Sequence, residues 1–330
     1  MTKPLPPAIA LMGPTASGKT GLAIELVERY PLDIISVDSA LVYRGMDIGT
    51  AKPDPATLER APHRLIDIRS PLERYSAADF REDALREMAT VSAQGRVPLL
   101  VGGTMLYFRA LFEGLSVLPP ADENVRASIE ARARARGWDA LHRELADHDP
   151  IAAARINPND PQRIQRALEV VELTGRPISE VQAEERSAPA PYRWLKLVVA
   201  PQDRAVLHER IAQRFDLMLE AGFAAELQGL RSLPGFAPDL PAFRAVGYRQ
   251  GWPWVDGRET VDVFREKALA ATRQLAKRQF TWLRREPDTL WYDLTAKTRS
   301  GAGSGRPSGG VADVVEAFLE TPRGRSQMDQ

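Results

Sequence analysis

Short apolar runs alternate with amphipathic segments along the first hundred residues of the chain. Apolar runs occupy residues 8–12, 34–37 and 97–101, and each has the length of a buried strand. Helical spacing of apolar positions follows the first run, and residues 76–94 form a longer helical pattern. Strands that alternate with helices predict a doubly wound, parallel α/β sheet.

The pattern changes after Pro119. Residues 122–185 are charged and helical, without a convincing strand pattern, and residues 192–199 return to the sheet as a strand. Residues 289–294 predict a late edge strand, and residues 311–319 predict a short terminal helix. We therefore predict a catalytic core of residues 1–118 and 192–296, an inserted helical domain of residues 119–191, and a flexible tail of residues 297–330.

The turn after the first strand carries the most specific chemical signal in the chain. It fits the pattern G-x-x-x-x-G-K-[ST], in a strand-loop-helix context. Such a loop binds phosphate through its backbone N–H groups and the positive end of the following helix. Lys19 would add a charge for the outer phosphates, and the Thr20 hydroxyl would ligate Mg²⁺. The predicted phosphate-binding residues are Gly13, Pro14, Thr15, Ala16, Ser17, Gly18, Lys19 and Thr20.

One element of an ordinary P-loop nucleotide hydrolase is missing. Such enzymes carry an acid at the end of a second buried strand, where it holds Mg²⁺ and organises the attacking water. Here the run at 97–101 is followed by Gly102, Gly103 and Thr104, and the nearest candidate acid is Asp38. On these local grounds a P-loop small-molecule kinase remains open.

Composition narrows the class of protein without deciding its activity. Basic and acidic residues balance at 44 each, so a globally basic nucleic-acid binder is not indicated. Basic residues nevertheless cluster between Glu266 and Glu286, where no acid intervenes. The sequence has no cysteine, and no apolar run is long enough to span a bilayer, so we expect a cytoplasmic protein.

Seven blocks together resemble the bacterial tRNA dimethylallyltransferases, also called isopentenyl-tRNA transferases or the IPP transferase family. These blocks are residues 13–20, 36–43, 46–53, 101–107, 159–169, 244–249 and 277–284. The resemblance runs from about residue 8 to residue 294 and implies a P-loop, kinase-like fold. It also implies transfer of a dimethylallyl group from dimethylallyl diphosphate to N6 of adenosine 37 in tRNA, with Mg²⁺ as cofactor, by a monomer.

The resemblance assigns roles to individual residues. Asp38 would accept the proton of the adenine amine, Thr104 would contact the diphosphate or the reacting centre, and Arg126 would pair with phosphate or hold the flipped base. Residues expected to contact the tRNA anticodon stem-loop are Asp38, Ser39, Ala40, Leu41, Gln162, Arg163, Ile164, Gln165, Arg166, Arg244, Ala245, Val246, Gly247, Tyr248, Arg249, Lys277, Arg278, Gln279, Phe280, Thr281, Trp282, Leu283 and Arg284.

Helical spacing refines two of these blocks. Gln162 and Arg166 share one helix face, and Lys277 and Arg284 share another, so we expect these polar faces to point outward. Three readings compete with tRNA prenylation: a small-molecule kinase, prenylation of free adenine nucleotides, and a non-enzymatic RNA-binding module. The helical insertion and the basic block favour an RNA acceptor over either small-molecule activity. The RNA-binding module leaves Asp38 unexplained.

Overall fold

The computed structural model describes residues 4–184, 186–295 and 310–321. The chain divides into two compact units. The core unit combines Met1–Leu111 with Pro191–Gln330, and the helical unit is Phe112–Ala190.

The core unit contains one six-stranded sheet in the order β3-β2-β4-β1-β5-β6. Its strands are β1 (Pro7–Met12), β2 (Leu32–Val37), β3 (His63–Arg64), β4 (Val97–Gly102), β5 (Arg193–Val199) and β6 (Thr289–Tyr292). Every strand pairing is parallel. This confirms the predicted doubly wound α/β fold, in which ligands bind at the carboxyl ends of the strands.

The described residues form fourteen α-helices and one 3₁₀ turn, Ala242–Arg244. The helices are α1 (Lys19–Arg29), α2 (Pro55–Arg60), α3 (Ala77–Ala93), α4 (Met105–Phe112), α5 (Glu123–Arg136), α6 (Trp138–His148), α7 (Pro150–Arg155), α8 (Pro161–Thr174), α9 (Ile178–Glu184), α10 (Arg204–Glu220), α11 (Phe223–Arg231), α12 (Tyr248–Val255), α13 (Val261–Leu283) and α14 (Val311–Glu320).

The central strands are buried on both faces, as expected for a parallel sheet covered by helices. Ile9 and Leu11 of β1, Leu99 of β4 and Leu197 of β5 are inaccessible to solvent. Strand β4 lies between β1 and β2 and pairs with both of them. The carboxyl ends of these three strands therefore lie side by side.

Helix α14 packs against the core unit. Val315 is fully buried in the same apolar cluster as the strands, and the Tyr30 hydroxyl donates a hydrogen bond of 3.1 Å to the Ala312 carbonyl. The predicted flexible tail of residues 297–330 is therefore wrong for α14, whose apolar face finds a partner on the sheet. The Gly/Ser-rich part of that prediction, residues 298–309, and residues 322–330 lie outside the described residues.

The helical unit has its own apolar core. Helices α5 to α9 bury Ile129, Leu141, Leu145, Ile164 and Leu168. Its described residues contain no regular strand, although Ser116 and Arg186 form an isolated antiparallel bridge. The unit begins at Phe112, seven residues before the boundary expected from sequence.

Within the described residues, no helix combines the length and the apolar character needed to cross a membrane.

Candidate active site

The phosphate loop lies at the carboxyl end of β1 and leads directly into α1. Its backbone is tightly curled, because Ala16 and Gly18 have φ values of +61° and +92°. A Cβ on Gly13 would lie 2.4 Å from the Val199 carbonyl oxygen, so this position has room only for glycine. The Lys19 ammonium folds back over the loop and donates a hydrogen bond of 3.1 Å to the Pro14 carbonyl.

Asp38 and Thr104 meet at the neighbouring ends of β2 and β4. The Thr104 hydroxyl oxygen accepts a hydrogen bond of 3.1 Å from the Ser39 N–H, and the Thr104 N–H donates one of 3.2 Å to the Val37 carbonyl. Asp38 Oδ1 accepts hydrogen bonds from the N–H groups of Ala40 and Leu41, at 2.8 and 3.4 Å. These bonds fix the carboxylate and the hydroxyl next to the phosphate loop.

Arg214 is a candidate site residue that lies outside every sequence motif described above. It lies on α10, and its guanidinium donates a hydrogen bond to the Thr15 hydroxyl of the phosphate loop. Burial lowers the pKa of Arg214, and the negative charge of Asp38 partly restores it. The sequence offers one signal for this residue. Arg214 lies between Ile211 and Phe215, which are buried positions of an amphipathic helix, and an arginine is uncommon there.

The charges of the site act on one another. Burial lowers the pKa of Lys19 to about 8, with the Asp38 carboxylate opposing this shift and the Arg214 guanidinium adding to it. Two cations and one carboxylate therefore share a poorly solvated region beside a backbone anion nest. Such an arrangement attracts a multivalent anion, because an anion restores the solvation and the charge balance that the two cations lack.

The described residues hold no group of three or more histidine, cysteine, aspartate or glutamate side chains that could bind a metal ion by themselves. Mg²⁺ commonly binds through one or two protein groups together with substrate phosphates. The Thr20 side chain fits that role, since it is exposed in the first turn of α1 beside the phosphate loop.

A carboxylate holds the loop between β2 and α2 in place. Both oxygens of Glu226 accept hydrogen bonds from the N–H groups of residues 47–49, at 2.7 to 3.0 Å, and Oε1 also accepts one of 2.5 Å from the Tyr248 hydroxyl. A Cβ on Gly49 would lie 2.2 Å from the Phe223 ring. The block at residues 46–53 is one of the seven that resemble the family. It thus includes residues that shape the loop rather than face solvent.

Two predicted tRNA-contact blocks of the core unit have both exposed and buried members. In the block at 244–249, Gly247 has a φ of +95° at the start of α12, Tyr248 is buried, and Arg249 is exposed. In the block at 277–284, the residues exposed on α13 and just after it are Lys277, Arg278, Thr281, Trp282 and Arg284.

The buried members of the second block serve the core unit itself. Phe280 and Leu283 pack inside, and Gln279 is buried with them. Trp282 remains 40% exposed, with the Arg109 guanidinium 5.6 Å from its ring centroid. The buried side chains of this block are not accessible to RNA, so they can affect RNA binding only by positioning the exposed side chains.

Arg126 lies in the helical unit, where it is engaged by a buried acid. Glu169 is inaccessible to solvent and accepts hydrogen bonds from Arg126 Nε at 2.8 Å, Arg166 Nη1 at 2.5 Å and the Asp122 N–H at 2.9 Å. Burial would raise the pKa of Glu169, but these donors together hold it below its usual value. The predicted roles of Arg126 and Arg166 toward a ligand stay predictions.

The remaining members of the block on α8 differ in exposure. Gln162 and Arg163 are exposed, and Ile164 is buried in the core of the helical unit. The Gln165 amide donates a hydrogen bond of 2.9 Å to Glu130. The exposed side chains thus lie at the start of the helix.

Comparison with known proteins places the chain in a family. Residues 41–286 match the family model described as IPP transferase. A relative from Thioalkalivibrio sulfidiphilus, named tRNA dimethylallyltransferase, is 63% identical over 288 residues, which cover 87% of this chain and 90% of the relative.

Two solved structures are similar over most of the chain. The full-length tRNA isopentenylpyrophosphate transferase from Bacillus halodurans is 37% identical with a TM-score of 0.62, covering 87% of this chain and 89% of that one. A eukaryotic dimethylallyltransferase acting on tRNA is 26% identical with a TM-score of 0.71, covering 87% and 74%. These matches confirm the resemblance read from the sequence blocks, and the chain belongs to the IPP transferase family.

Proposed function

We propose that this chain is a tRNA dimethylallyltransferase. It transfers the dimethylallyl group of dimethylallyl diphosphate to N6 of adenosine 37 in tRNA and releases diphosphate. The observation that carries the proposal is the convergence of two desolvated cations, Lys19 and Arg214, with one carboxylate, Asp38, beside an anion-binding loop. The names of the family relatives support the same activity.

Leaving-group stabilisation is the larger part of the catalytic task. An allylic C–O bond breaks readily once the negative charge that develops on diphosphate is stabilised. Backbone N–H groups of the phosphate loop, Lys19 and Arg214 supply fixed positive charge for this purpose in a region of low solvation. When bound, Mg²⁺ would neutralise further diphosphate charge, with Thr20 as its protein ligand.

Asp38 is suited to receive the proton of the adenine amine. In the described residues its hydrogen bonds all go to Oδ1, so Oδ2 is available to the N6–H group of the base. In the transfer step the bond from N6 to C1 of the dimethylallyl group forms, the bond from C1 to the diphosphate oxygen breaks, and the N6 proton passes to the carboxylate. The amine needs this positioning because its lone pair is delocalised into the ring.

Thr104 lies where it can position the reacting groups. Its hydroxyl accepts from the Ser39 N–H and lies 3.4 Å from the Ser39 hydroxyl, so the bonding that fixes Thr104 also fixes the segment after Asp38. We assign Thr104 to contact with the diphosphate or the reacting carbon.

The acceptor base must leave its stack to reach this site, at a cost of a few kcal/mol that is smaller in a loop. The exposed basic residues of α13 would bind the phosphates of the anticodon stem-loop, with Trp282 as an exposed aromatic neighbour. We further propose that the enzyme acts in the cytoplasm as a monomer.

The test is an acceptor competition. The full chain is incubated with labelled dimethylallyl diphosphate, Mg²⁺, unmodified tRNA and AMP, and separately with γ-labelled ATP. We expect label in tRNA alone. Label in AMP would point to nucleotide prenylation, and phosphate transfer from ATP would refute the proposal.

The variant Asp38→Ala tests the role of Asp38 as general base in the same assay. We expect transfer to fall by about 10³-fold, because a general base contributes ~10²- to 10⁴-fold, while tRNA binding in a filter assay is retained. Lost tRNA binding together with normal transfer to a minimal stem-loop would contradict the role of Asp38 as base.

A further inference from the structure

Gln279 bridges two separate parts of the site from inside the protein. Its Oε1 accepts a hydrogen bond of 2.9 Å from the Thr15 N–H of the phosphate loop. Its Nε2 donates one of 2.9 Å to the Gly103 carbonyl, in the turn that carries Thr104. The side chain is 264 residues from Thr15 and 176 residues from Gly103 in sequence, so only the tertiary fold creates this bridge.

The Gln279 side chain fits closely between the Gly103 turn and the phosphate loop. A Cβ on Gly103 would lie 2.5 Å from Gln279 Nε2 and 3.1 Å from the Gly13 carbonyl oxygen. The glycine turn, the phosphate loop and the amide therefore pack together without space for an added methyl group. A side-chain amide suits the position because it accepts from one backbone group and donates to the other, and a buried backbone group without a partner costs free energy.

The helix that carries Gln279 also carries the basic surface proposed for tRNA. Lys277 and Arg278 immediately precede the buried amide, and Thr281 and Trp282 follow within one turn, all four of them exposed. A displacement of this part of α13 by RNA would therefore be transmitted to the phosphate loop by the Gln279 side chain.

We propose that Gln279 is a positioning residue that fixes the phosphate loop to the Gly103 turn and makes diphosphate affinity depend on RNA binding at α13. The RNA half of this inference rests on the proposed function. The diphosphate half rests on the geometry of the bridge and on the phosphate-binding pattern of the loop.

The experiment measures diphosphate binding without any prenyl transfer. Magnesium pyrophosphate is titrated into the full chain by calorimetry, with and without an unmodified anticodon stem-loop. For the wild type we expect the stem-loop to change pyrophosphate affinity about fivefold or more. Gln279→Leu should weaken pyrophosphate binding by about 10-fold, since the part-buried Thr15 N–H and the buried Gly103 carbonyl lose their partner, and should abolish the dependence on RNA.

The control is Gln274→Leu, the same change at an exposed position of α13, which should leave both titrations unchanged. Stem-loop affinity of Gln279→Leu, measured without pyrophosphate, should stay within about twofold of the wild type, because the side chain does not reach the surface. Failure of the proposed transferase activity would leave the pyrophosphate titrations interpretable.

Three results would overturn the inference. Wild-type pyrophosphate affinity in Gln279→Leu would exclude a positioning role, and a loss confined to stem-loop affinity would make Gln279 an RNA contact. A wild-type enzyme whose pyrophosphate affinity ignores the stem-loop would exclude the coupling.

A second variant covers the case in which Gln279→Leu does not fold. Gln279→Asn keeps the amide but shortens its reach, and we expect the same changes in smaller measure, with an unfolding midpoint within about 5 °C of the wild type. A folded Gln279→Asn with unchanged pyrophosphate affinity and unchanged RNA dependence would equally refute the proposal.

Discussion

Arg214 of the core unit and Arg126 of the helical unit differ in how their positive charge is compensated. Arg126 donates to both oxygens of the fully buried Glu169, so its charge is neutralised inside the fold. Within the described part of the chain, Arg214 forms no ion pair and instead donates to the neutral Thr15 hydroxyl, with Asp38 as its electrostatic counterpart.

The difference shows how the fold can leave a positive charge available to an anionic ligand. A guanidinium that is desolvated but not paired gains solvation and charge balance when an anion arrives, whereas a paired one must first lose its partner. The amino-acid type is the same in both units, and the environment alone separates a desolvated, unpaired guanidinium from one that is paired with a buried acid.

Among the changes that test this comparison, the largest effect is expected from removing the unpaired guanidinium of Arg214. Arg214→Gln should lower kcat/KM for prenyl transfer to tRNA by about 10²-fold, the size of the loss when one preorganised donor to a developing anion is removed. Steady-state transfer at varied dimethylallyl diphosphate measures it. Arg204→Gln, an exposed position on the same helix, is the matched control and should behave like the wild type. Equal rates for the two variants would remove Arg214 from the site.

A smaller effect should appear with pH. Because burial lowers the pKa of Lys19 to about 8 in the free enzyme, its positive charge is present below that pH and lost above it. We expect kcat/KM for dimethylallyl diphosphate to fall about 10-fold between pH 7 and pH 9, one factor of ten for each pH unit above the pKa. The profile of kcat should be flatter, since bound diphosphate raises the pKa again. A flat kcat/KM profile over this range would contradict the prediction.

The smallest effect on chemistry is expected in the helical unit, where the change is one of stability. Glu169→Gln leaves two guanidinium groups without their buried counterion and should destabilise this unit by about 2 to 4 kcal/mol. Hydrogen exchange of α5 and α8 measures it locally. Glu180→Gln, an exposed acid on α9, is the control and should cost less than about 0.5 kcal/mol.

The pH dependence of this variant supplies a second check. The pKa of Glu169 is held below its usual value in the folded state, so the stability it contributes is present above about pH 4.3 and is lost as pH falls through the folded pKa. The difference in protection between wild type and Glu169→Gln should therefore shrink toward acid pH. A gap that stays constant down to pH 3 would contradict the assignment.

Much of the core unit was predictable because its signals are local. The apolar run at residues 97–101 became β4, and the helical pattern at residues 76–94 became α3. Ser76 and Asp79, three positions apart, form a reciprocal pair of hydrogen bonds that caps the start of α3. Each of these features depends on residues a few positions apart, whose spacing a sequence displays directly.

The chain by itself determined its family, most of its sheet and the strand-loop-helix context of the P-loop pattern, because backbone curvature and strand burial are encoded by neighbouring residues. Only the tertiary structure decided that Arg214 would join this loop, that Gln279 would lie inside rather than on the exposed face of α13, and that α14 would pack on the core. The physical reason is that burial and pairing arise from contacts between residues far apart in sequence, and such contacts give a charged or amide side chain a role that its own motif does not show.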